Sequence, residues 1–192
     1  SGKVPARAGN AHQNIVPYQV FEVKAAEGRA ADARDHIILA VGNDGQFAKF
    51  CAVAGVPELA QDARYARNAD RVRHRAVLVP LLEQLLKTRT KADWLAALEA
   101  AKVPCGAINN LAEVFDDPQV HAREMVNTWA HPVQSNLRLV ASPLKMSRTP
   151  VRQDLPPPLL GQHTRDVLRR VLGASDAQIE EWIAQGFVKE TP

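Results

Sequence analysis

Long apolar runs are absent from this chain of 192 residues, and so are the cysteines that a disulfide framework would need. No stretch reaches the roughly 18 consecutive apolar residues that a membrane-spanning helix requires. The two cysteines, Cys51 and Cys105, lie far apart, and we expect both to be reduced and buried as small apolar residues. The sequence therefore predicts neither a membrane span nor a disulfide-rich scaffold.

A strong excess of charge of one sign is also lacking. Lys and Arg number 24 against 21 Asp and Glu, which leaves a formal net charge of +3. This balance gives no dense positive field of the kind that dedicated DNA-binding domains carry. Hydrophobic residues make up 46% and charged residues 23%, as in ordinary globular chains. We therefore expect a folded protein that requires neither a nucleic-acid partner nor a membrane.

The N-terminal segment carries no targeting pattern. Ser1–Arg7 has no apolar core of a signal peptide, so a cytoplasmic protein is expected. The chain opens on Ser1 rather than Met, and we expect it to be a piece of a longer polypeptide. Residues 1–17 contain Pro5 and Pro17 and no apolar period, which predicts an extended linker or loop.

Strand and helix patterns follow one another without a regular βαβ order. Apolar residues predict strands over 18–24 and 36–41, joined by a connection that is long for a hairpin. Three helical stretches follow, and we expect their N-caps at Asn43 or Asp44, at Asn68 and at Thr90. Pro80 falls inside the second stretch and predicts either a kink or a break that leaves it in the first turn of a new helix. Shorter patterns predict a strand over 103–108, a helical turn over 111–115, and strands over 125–131 and 137–141.

Proline fills the segment from Ser142 to Leu160, which excludes a helix interior or a central strand there. Two helices are predicted behind this extended connector. Thr164 is the expected N-cap of the first, which ends at Gly173, and Ser175 with Gln178 forms a capping box for the second. The fold class is therefore α+β.

No complete catalytic set is visible in the residues alone. His and Cys show no close-spaced ligand pair, so no metal site is predicted. Basic residues concentrate between Arg64 and Arg75, and Arg71, Arg73 and Arg75 are candidate phosphate contacts for nucleic acid or a phosphorylated ligand. A solvated helix face explains the same charges. One hypothesis is thus a non-catalytic binding module that uses this basic face.

Five segments, in order along the chain, resemble the C-terminal half of family III CoA-transferases, the group that includes formyl-CoA transferase and carnitine CoA-transferase. The segments are residues 9–21, 38–47, 103–109, 117–119 and 160–164. The resemblance implies a CoA-transferase with racemase-type chemistry as an open alternative. It also implies that this chain is the C-terminal fragment of a longer enzyme and is inactive by itself.

The resemblance implies a mechanism whose nucleophile lies elsewhere. In that family an N-terminal Rossmann-like part binds CoA and supplies an Asp that attacks the acyl-CoA thioester. A mixed anhydride and then an aspartyl-CoA thioester form before the acceptor acid is activated. No Asp here matches that nucleophile, so no catalytic residue is carried over to this chain. The implied substrates are a CoA thioester and a carboxylic acid, with no tightly bound cofactor, and the implied intact assembly is an interlocked homodimer.

The resemblance also divides the chain into three parts. Residues 1–17 are a linker and active-site loop segment, and residues 18–130 form a small mixed α/β domain. Residues 131–192 are an extended proline-rich return segment whose C-terminal helices complete the large domain of the longer enzyme.

Two positions depart from the family pattern. Formyl-CoA transferase has a glycine-rich loop that closes over the active site, and here its place is taken by residues 12–16, in which His12, Gln13, Asn14 and Ile15 are the substrate-loop candidates. Without glycine the backbone is less free to take positive φ, so a multi-state lid is not expected. These side chains are candidate contacts to the acyl group or its carboxylate, or they cap backbone groups at the strand entry. Lys102 stands where relatives commonly have glycine before Val-Pro. If the backbone of Lys102 is left-handed, the lysine lowers stability by about 1 kcal/mol.

Overall fold

A computed structural model gives the fold of this chain and describes residues 2, 4, 7, 9–28 and 34–190. The chain divides into two compact units, Ser1–Leu111 (unit 1) and Ala112–Pro192 (unit 2). Helices alternate irregularly with strands that form one three-stranded and one two-stranded sheet. The expected mixed α and β fold class is confirmed.

Unit 1 holds most of the regular structure. In chain order its elements are β1 (Tyr18–Val23), β2 (Asp35–Ala40), α1 (Asp44–Val53), a 3-10 turn (Pro57–Ala60), α2 (Asn68–Arg73), α3 (Arg75–Leu86), α4 (Lys91–Ala100) and β3 (Cys105–Ile108).

The first sheet has the order β1-β2-β3, and both neighbouring pairs are antiparallel. Tyr18 lies opposite Ala40, so β1 and β2 pair directly despite the long connection between them, part of which lies outside the described residues. Alternate residues of β2 are fully buried, among them Ile37 and Leu39, as the two-residue period of a strand requires. One face of the sheet therefore supplies the core of unit 1.

The helices of unit 1 complete this core. Leu78, Leu82 and Leu86 recur every four residues along α3 and are fully buried, each contributing roughly 1.5–3 kcal/mol relative to exposure. Trp94 of α4 is also fully buried, and its indole N–H donates to the Leu86 carbonyl at 2.7 Å. The buried ring thus has a partner for its only polar atom, and it joins α3 to α4.

In this helical region the structure overturns the predicted cap at Asn68 and one of the two alternatives for Pro80, a helix break next to it. Asn68 does not cap α2; it is the first residue of the helix, and Arg67 holds the N-cap position without a side-chain hydrogen bond. The Asn68 side chain instead contacts the N-terminal loop, as described below. The helix break lies at His74 rather than next to Pro80, and Pro80 is the sixth residue of a continuous α3.

Other helix ends agree with the sequence. Asn43 caps α1 by accepting from the Gln46 N–H, and Thr90 caps α4 by accepting from the Asp93 N–H. After α4 the chain turns through Lys102, whose φ of 57° lies in the left-handed region, the condition on which the cost of a lysine at this position depends.

Unit 2 contains shorter elements. These are α6 (Pro118–Ala122), β4 (Val126–Trp129), β5 (Leu137–Val140), α7 (Thr164–Leu172) and α8 (Asp176–Ala184), while α5 (Leu111–Phe115) begins at the boundary between the units. β4 and β5 form the antiparallel two-stranded sheet.

The proline-rich connector of unit 2 is anchored to β4 and the residues beside it. The Trp129 indole N–H donates to the Gln153 carbonyl at 3.1 Å, and the Arg123 guanidinium donates to the Pro143 carbonyl at 2.9 Å. The side chains of Asn127 and Gln153 are hydrogen-bonded to each other. The connector is thus an extended segment held by side chains, without a helix or strand of its own.

The last two helices begin and end mostly as predicted. Gly173 ends α7 in the left-handed conformation, with φ of 65°, and Ser175 and Gln178 form the predicted capping box of α8. Thr164 is a correction: it is the first residue of α7, and its hydroxyl donates to the Lys189 carbonyl instead of capping the helix.

The division into units does not test the predicted parts 1–17, 18–130 and 131–192, which concern the architecture of a longer enzyme and remain predictions. Among the described residues no helix is long and apolar enough to cross a bilayer.

Candidate functional site

The structure brings the predicted substrate loop and the predicted basic cluster together. The Nη2 atom of Arg75 donates to the carbonyl oxygens of both His12 and Gln13, each at 2.7 Å. Arg75 is the first residue of α3, more than sixty positions along the chain from the loop. We call residues 9–17 the entry loop. The candidate site is therefore the entry loop together with the part of unit 1 against which it lies.

Local chemistry shapes the start of the entry loop. Gly9 has a φ of 62°, a conformation that glycine takes without strain. The Asn10 side chain accepts from the Val20 N–H at 2.9 Å, and the His12 N–H donates to the Tyr18 carbonyl at 2.9 Å. These bonds fold the loop back on β1 and fix the backbone of the segment that carries the candidate residues.

His12 has a defined orientation within the loop. Its ring stacks on Tyr18 with centroids 5.3 Å apart and an interplanar angle of 18°. Its Nδ1 accepts from the Asn14 N–H at 3.1 Å. A neutral imidazole whose Nδ1 accepts carries its proton on Nε2, so His12 offers a donor on the other side of its ring.

The remaining candidate side chains differ in exposure. Gln13 and Asn14 are exposed like His12, whereas Ile15 is half-buried. The structure supports backbone capping by Asn10 and His12, the second of the two interpretations of this loop. It leaves the exposed amides of Gln13 and Asn14 facing solvent, so the prediction that they contact substrate stays a prediction.

Asn68 fastens the second half of the entry loop. Its side-chain oxygen accepts from the Val16 N–H at 3.1 Å, and its amide nitrogen donates to the Asn14 carbonyl at 2.7 Å. Its backbone N–H donates to Asp44 at 2.8 Å. Sequence reasoning missed this role, because an Asn beside a helical pattern has the same local signature whether it caps the helix or binds a distant loop.

Arg71 corrects the interpretation of the basic cluster as one solvated face. Its side chain is fully buried, and its guanidinium donates to the Val16, Tyr65 and Ala66 carbonyls and to the Asp44 carboxylate. The guanidinium also lies over the Phe47 ring, 4.4 Å from its centroid. This burial argues against Arg71 as a phosphate contact, and the residue instead ties the end of the entry loop to α1.

Two exposed arginines of the cluster, Arg64 and Arg73, pair with neighbouring carboxylates. Arg73 donates to Asp70 at 2.7 Å, and Arg64 donates to Asp62 at 2.6 Å. The hydrogen bonds from Arg64 lower the pKa of the Asp62 carboxyl to about 2. Since two of these arginines are paired on the surface and a third is buried, the cluster does not form a continuous positive face.

The two cysteines occupy different environments. Cys51 is buried, and desolvation raises the pKa of its thiol to about 12. Cys105 is only half-buried, which corrects the expectation that both are buried, and desolvation raises the pKa of its thiol as well. No group of three His, Cys, Asp or Glu side chains suited to a metal ion occurs in the part of the chain that the structure describes.

Comparisons with known proteins agree with the resemblance. The family model described as CoA-transferase family III matches residues 1–164. A succinate–glutarate CoA-transferase from Agrobacterium fabrum is 42% identical over 88% of this chain and 40% of its own length. A succinyl-CoA:glutarate CoA-transferase from Mus musculus is 34% identical over 98% of this chain and 41% of its own length.

A solved structure supports the same assignment. The crystal structure of a CaiB/BaiF family protein from Brucella suis is 40% identical and superposes with a TM-score of 0.70, covering 87% of this chain and 40% of that one. The chain belongs to CoA-transferase family III. It spans about two fifths of the length of the curated relatives that it matches. Nothing in the comparisons supports the hypothesis of a nucleic-acid-binding module.

Proposed function

We propose that this chain is the C-terminal portion of an acyl-CoA:carboxylate CoA-transferase that exchanges CoA between short aliphatic dicarboxylic acids. The observation that carries the proposal is the 42% identity to a succinate–glutarate CoA-transferase over most of the chain. The 34% identical mouse relative acts, by its name, on the same pair of acids. The relatives' greater length supports the further proposal that part of the enzyme lies outside these residues.

The proposed chemistry proceeds through an aspartyl-CoA thioester. An Asp outside this chain attacks the acyl-CoA carbonyl, which releases CoA thiolate and leaves a mixed anhydride. The thiolate then attacks the aspartyl carbonyl, which releases the first acid as its carboxylate. The acceptor carboxylate repeats the two steps in reverse and leaves as the new CoA thioester, so that Asp is regenerated. Dividing one acyl exchange in this way lowers each barrier.

In this proposal the entry loop contributes to acid binding. His12, Gln13 and Asn14 are exposed on a backbone that the surrounding residues hold in place. Donors held in a fixed position lower the entropy that is lost when a substrate binds. The proposed assembly of the complete enzyme is a homodimer, and its proposed location is the cytoplasm.

The test uses the complete polypeptide with succinyl-CoA and glutarate, followed by chromatography of the CoA thioesters. Formation of glutaryl-CoA at a rate proportional to enzyme is the expected result, with formyl-CoA and oxalate as the comparison pair. A complete polypeptide that forms no glutaryl-CoA from succinyl-CoA and glutarate would contradict the proposed function.

A second measurement locates the nucleophile. Rapid quenching during turnover, followed by peptide mapping, should find CoA bound as a thioester to an Asp outside residues 1–192. Assay of the 192-residue chain by itself should show no glutaryl-CoA. A CoA adduct on an Asp within this chain, or turnover by the chain alone, would show that the nucleophile has been placed wrongly.

A further inference from the structure

Arg75 has an unusual set of partners for a half-buried arginine. Its Nη2 serves two backbone carbonyls of the entry loop, and its Nε is buried and has no hydrogen-bond partner among the described residues. Arg71 and Arg73, by contrast, each donate to a carboxylate. No described carboxylate forms an ion pair with Arg75, so its charge is not neutralised within this part of the protein.

These bonds decide which groups of the entry loop face solvent. The carbonyls of His12 and Gln13 point toward Arg75, and the carbonyl of Asn14 points toward Asn68. The three side chains are exposed. With its Nδ1 engaged by a backbone N–H, His12 presents an Nε2–H donor, and the two amides present NH₂ donors.

A surface of N–H donors in front of an unneutralised cation favours an anion. In the proposed reaction the reacting carboxylate of the acid must lie at the Asp nucleophile, whereas the far end of a dicarboxylic acid carries a second carboxylate that takes no part in bond making. That second carboxylate requires donors, because leaving it desolvated and unpaired is costly.

We propose that residues 12–15 form a fixed binding surface for the non-reacting carboxylate of the acid substrate, with His12 as a contact and Arg75 as the positioning residue. This inference rests on the proposed function. It differs from a closing lid, since the side chains of Arg75 and Asn68 fasten the loop through hydrogen bonds to its backbone.

The experiment compares glutarate with valerate, in which a methyl group replaces the second carboxylate. In the complete enzyme, with succinyl-CoA at a fixed saturating concentration, wild type should show a higher kcat/KM for glutarate than for valerate. Arg75→Met, which keeps an unbranched apolar stem without the guanidinium donors, should raise the KM for glutarate and lower the glutarate-to-valerate ratio about tenfold or more. His12→Phe keeps an aromatic ring beside Tyr18, loses the donor, and should lower the ratio as well.

Two control variants separate this role from a general effect on folding. Both loop carbonyls accept from a single nitrogen of Arg75, so Arg75→Lys supplies a donor for both and should keep the ratio within about threefold of wild type. Arg73→Met removes an arginine two positions away that is paired with Asp70 and does not contact the loop, and should leave the ratio unchanged. Backbone amide exchange at residues 12–15 should accelerate in Arg75→Met only.

Each outcome has a definite meaning. A glutarate-to-valerate ratio that is unchanged in folded His12→Phe or Arg75→Met enzyme would overturn the inference, and His12→Phe decides the matter if Arg75→Met does not fold. Wild-type enzyme that transfers CoA without preferring glutarate would overturn the inference while the proposed function stands. Wild-type enzyme that transfers no CoA would refute the proposed function, and the inference with it.

Discussion

At the scale of single residues, two arginines four positions apart show how little a charge cluster says about its members. Arg71 is fully buried with four oxygen acceptors, whereas Arg75 is half-buried and binds two loop carbonyls. The positions differ because Arg71 lies on the face of α2 that packs toward Phe47 of α1. The sequence therefore located the basic cluster, but the different roles of Arg71 and Arg75 depend on how their helices pack.

The burial of Arg71 predicts a large loss of stability on its removal. Arg71→Met leaves the carbonyls of Val16, Tyr65 and Ala66 without their donor and Asp44 without its cation. The Asp44 side chain is about half exposed and water can solvate it, so the main cost comes from the buried carbonyls, about 1–3 kcal/mol for each one left without a partner. Urea denaturation should show a decrease in the free energy of unfolding of this order, while Arg73→Met should stay within about 0.5 kcal/mol of wild type. A decrease below about 1 kcal/mol for Arg71→Met would be inconsistent with the buried network.

The cysteines give a prediction about reactivity. Thiolate is the reactive form, and with a pKa of about 12 Cys51 has roughly one thiolate in ten thousand molecules at pH 8. Cys105 is half-buried and should react first with Ellman's reagent in the native protein. Cys51 should react only on the timescale of unfolding, and Cys105→Ser should remove the faster phase. Mass mapping that finds Cys51 modified before Cys105 would contradict this order.

At the scale of elements, helix ends followed the sequence wherever the capping side chain had no competing partner. Asn43, Thr90 and Ser175 cap α1, α4 and α8 as their local patterns predict. Asn68 does not cap, because the entry loop supplies both an acceptor and a donor for its side chain. Thr164 lies one position too late to cap, as the first residue of α7, and its hydroxyl donates to the Lys189 carbonyl. Such long-range partners leave no mark in a local window of sequence.

The turn after α4 predicts a stabilising substitution. Lys102 is exposed and has a φ of 57°, a region that strains any residue with a Cβ atom. Lys102→Gly should therefore raise the free energy of unfolding by about 1 kcal/mol. Lys87, at the C-cap of α3, has an ordinary φ of −72°, and Lys87→Gly should lower stability because glycine adds conformational entropy to the unfolded chain and the ion pair with Glu22 is lost. Thermal or urea denaturation that ranks the two variants in the opposite order would disprove this explanation.

At the scale of the whole molecule, several large apolar side chains are exposed to solvent. In unit 2 Val171, Leu172 and Phe187 are each more than 60% exposed on or beside the last two helices. Contiguous exposed apolar residues are typical of surfaces that contact another protein segment. This agrees with the proposal that further residues of a longer enzyme belong with this chain.

The exposed residues predict self-association of the isolated 192-residue chain. Light scattering after size exclusion should show a mass above that of the monomer that rises with protein concentration. Val171→Lys places a charge among the apolar residues of α7 and should shift the chain toward monomer. The matched control is Val133→Lys, a substitution at an equally exposed valine outside α7 and α8, and it should change the mass little. A chain that is monomeric at high concentration would contradict the prediction.

The amino-acid sequence by itself determined the fold class, most element positions and the family. Apolar periodicity located β1 and β2, short polar residues located three helix caps, and five ordered segments indicated CoA-transferase family III, which the comparisons confirm. Periodicity and capping residues are local features of the sequence, and the family resemblance depends on the order of segments along the chain. None of them requires coordinates.

Only the tertiary structure decided how the entry loop is held. Asn68, Arg71 and Arg75 are more than fifty positions from the loop atoms that they bind. Their local sequence predicted a helix cap for Asn68 and phosphate contacts or surface positions for the two arginines, and gave no sign of these bonds to the loop. Burial and hydrogen bonding depend on which segments meet in space, and that meeting is set by the packing of α2 and α3 in unit 1. In the folded chain Arg71 is a buried hydrogen-bond donor, Arg75 binds the backbone of the entry loop, and Arg64 and Arg73 form surface ion pairs.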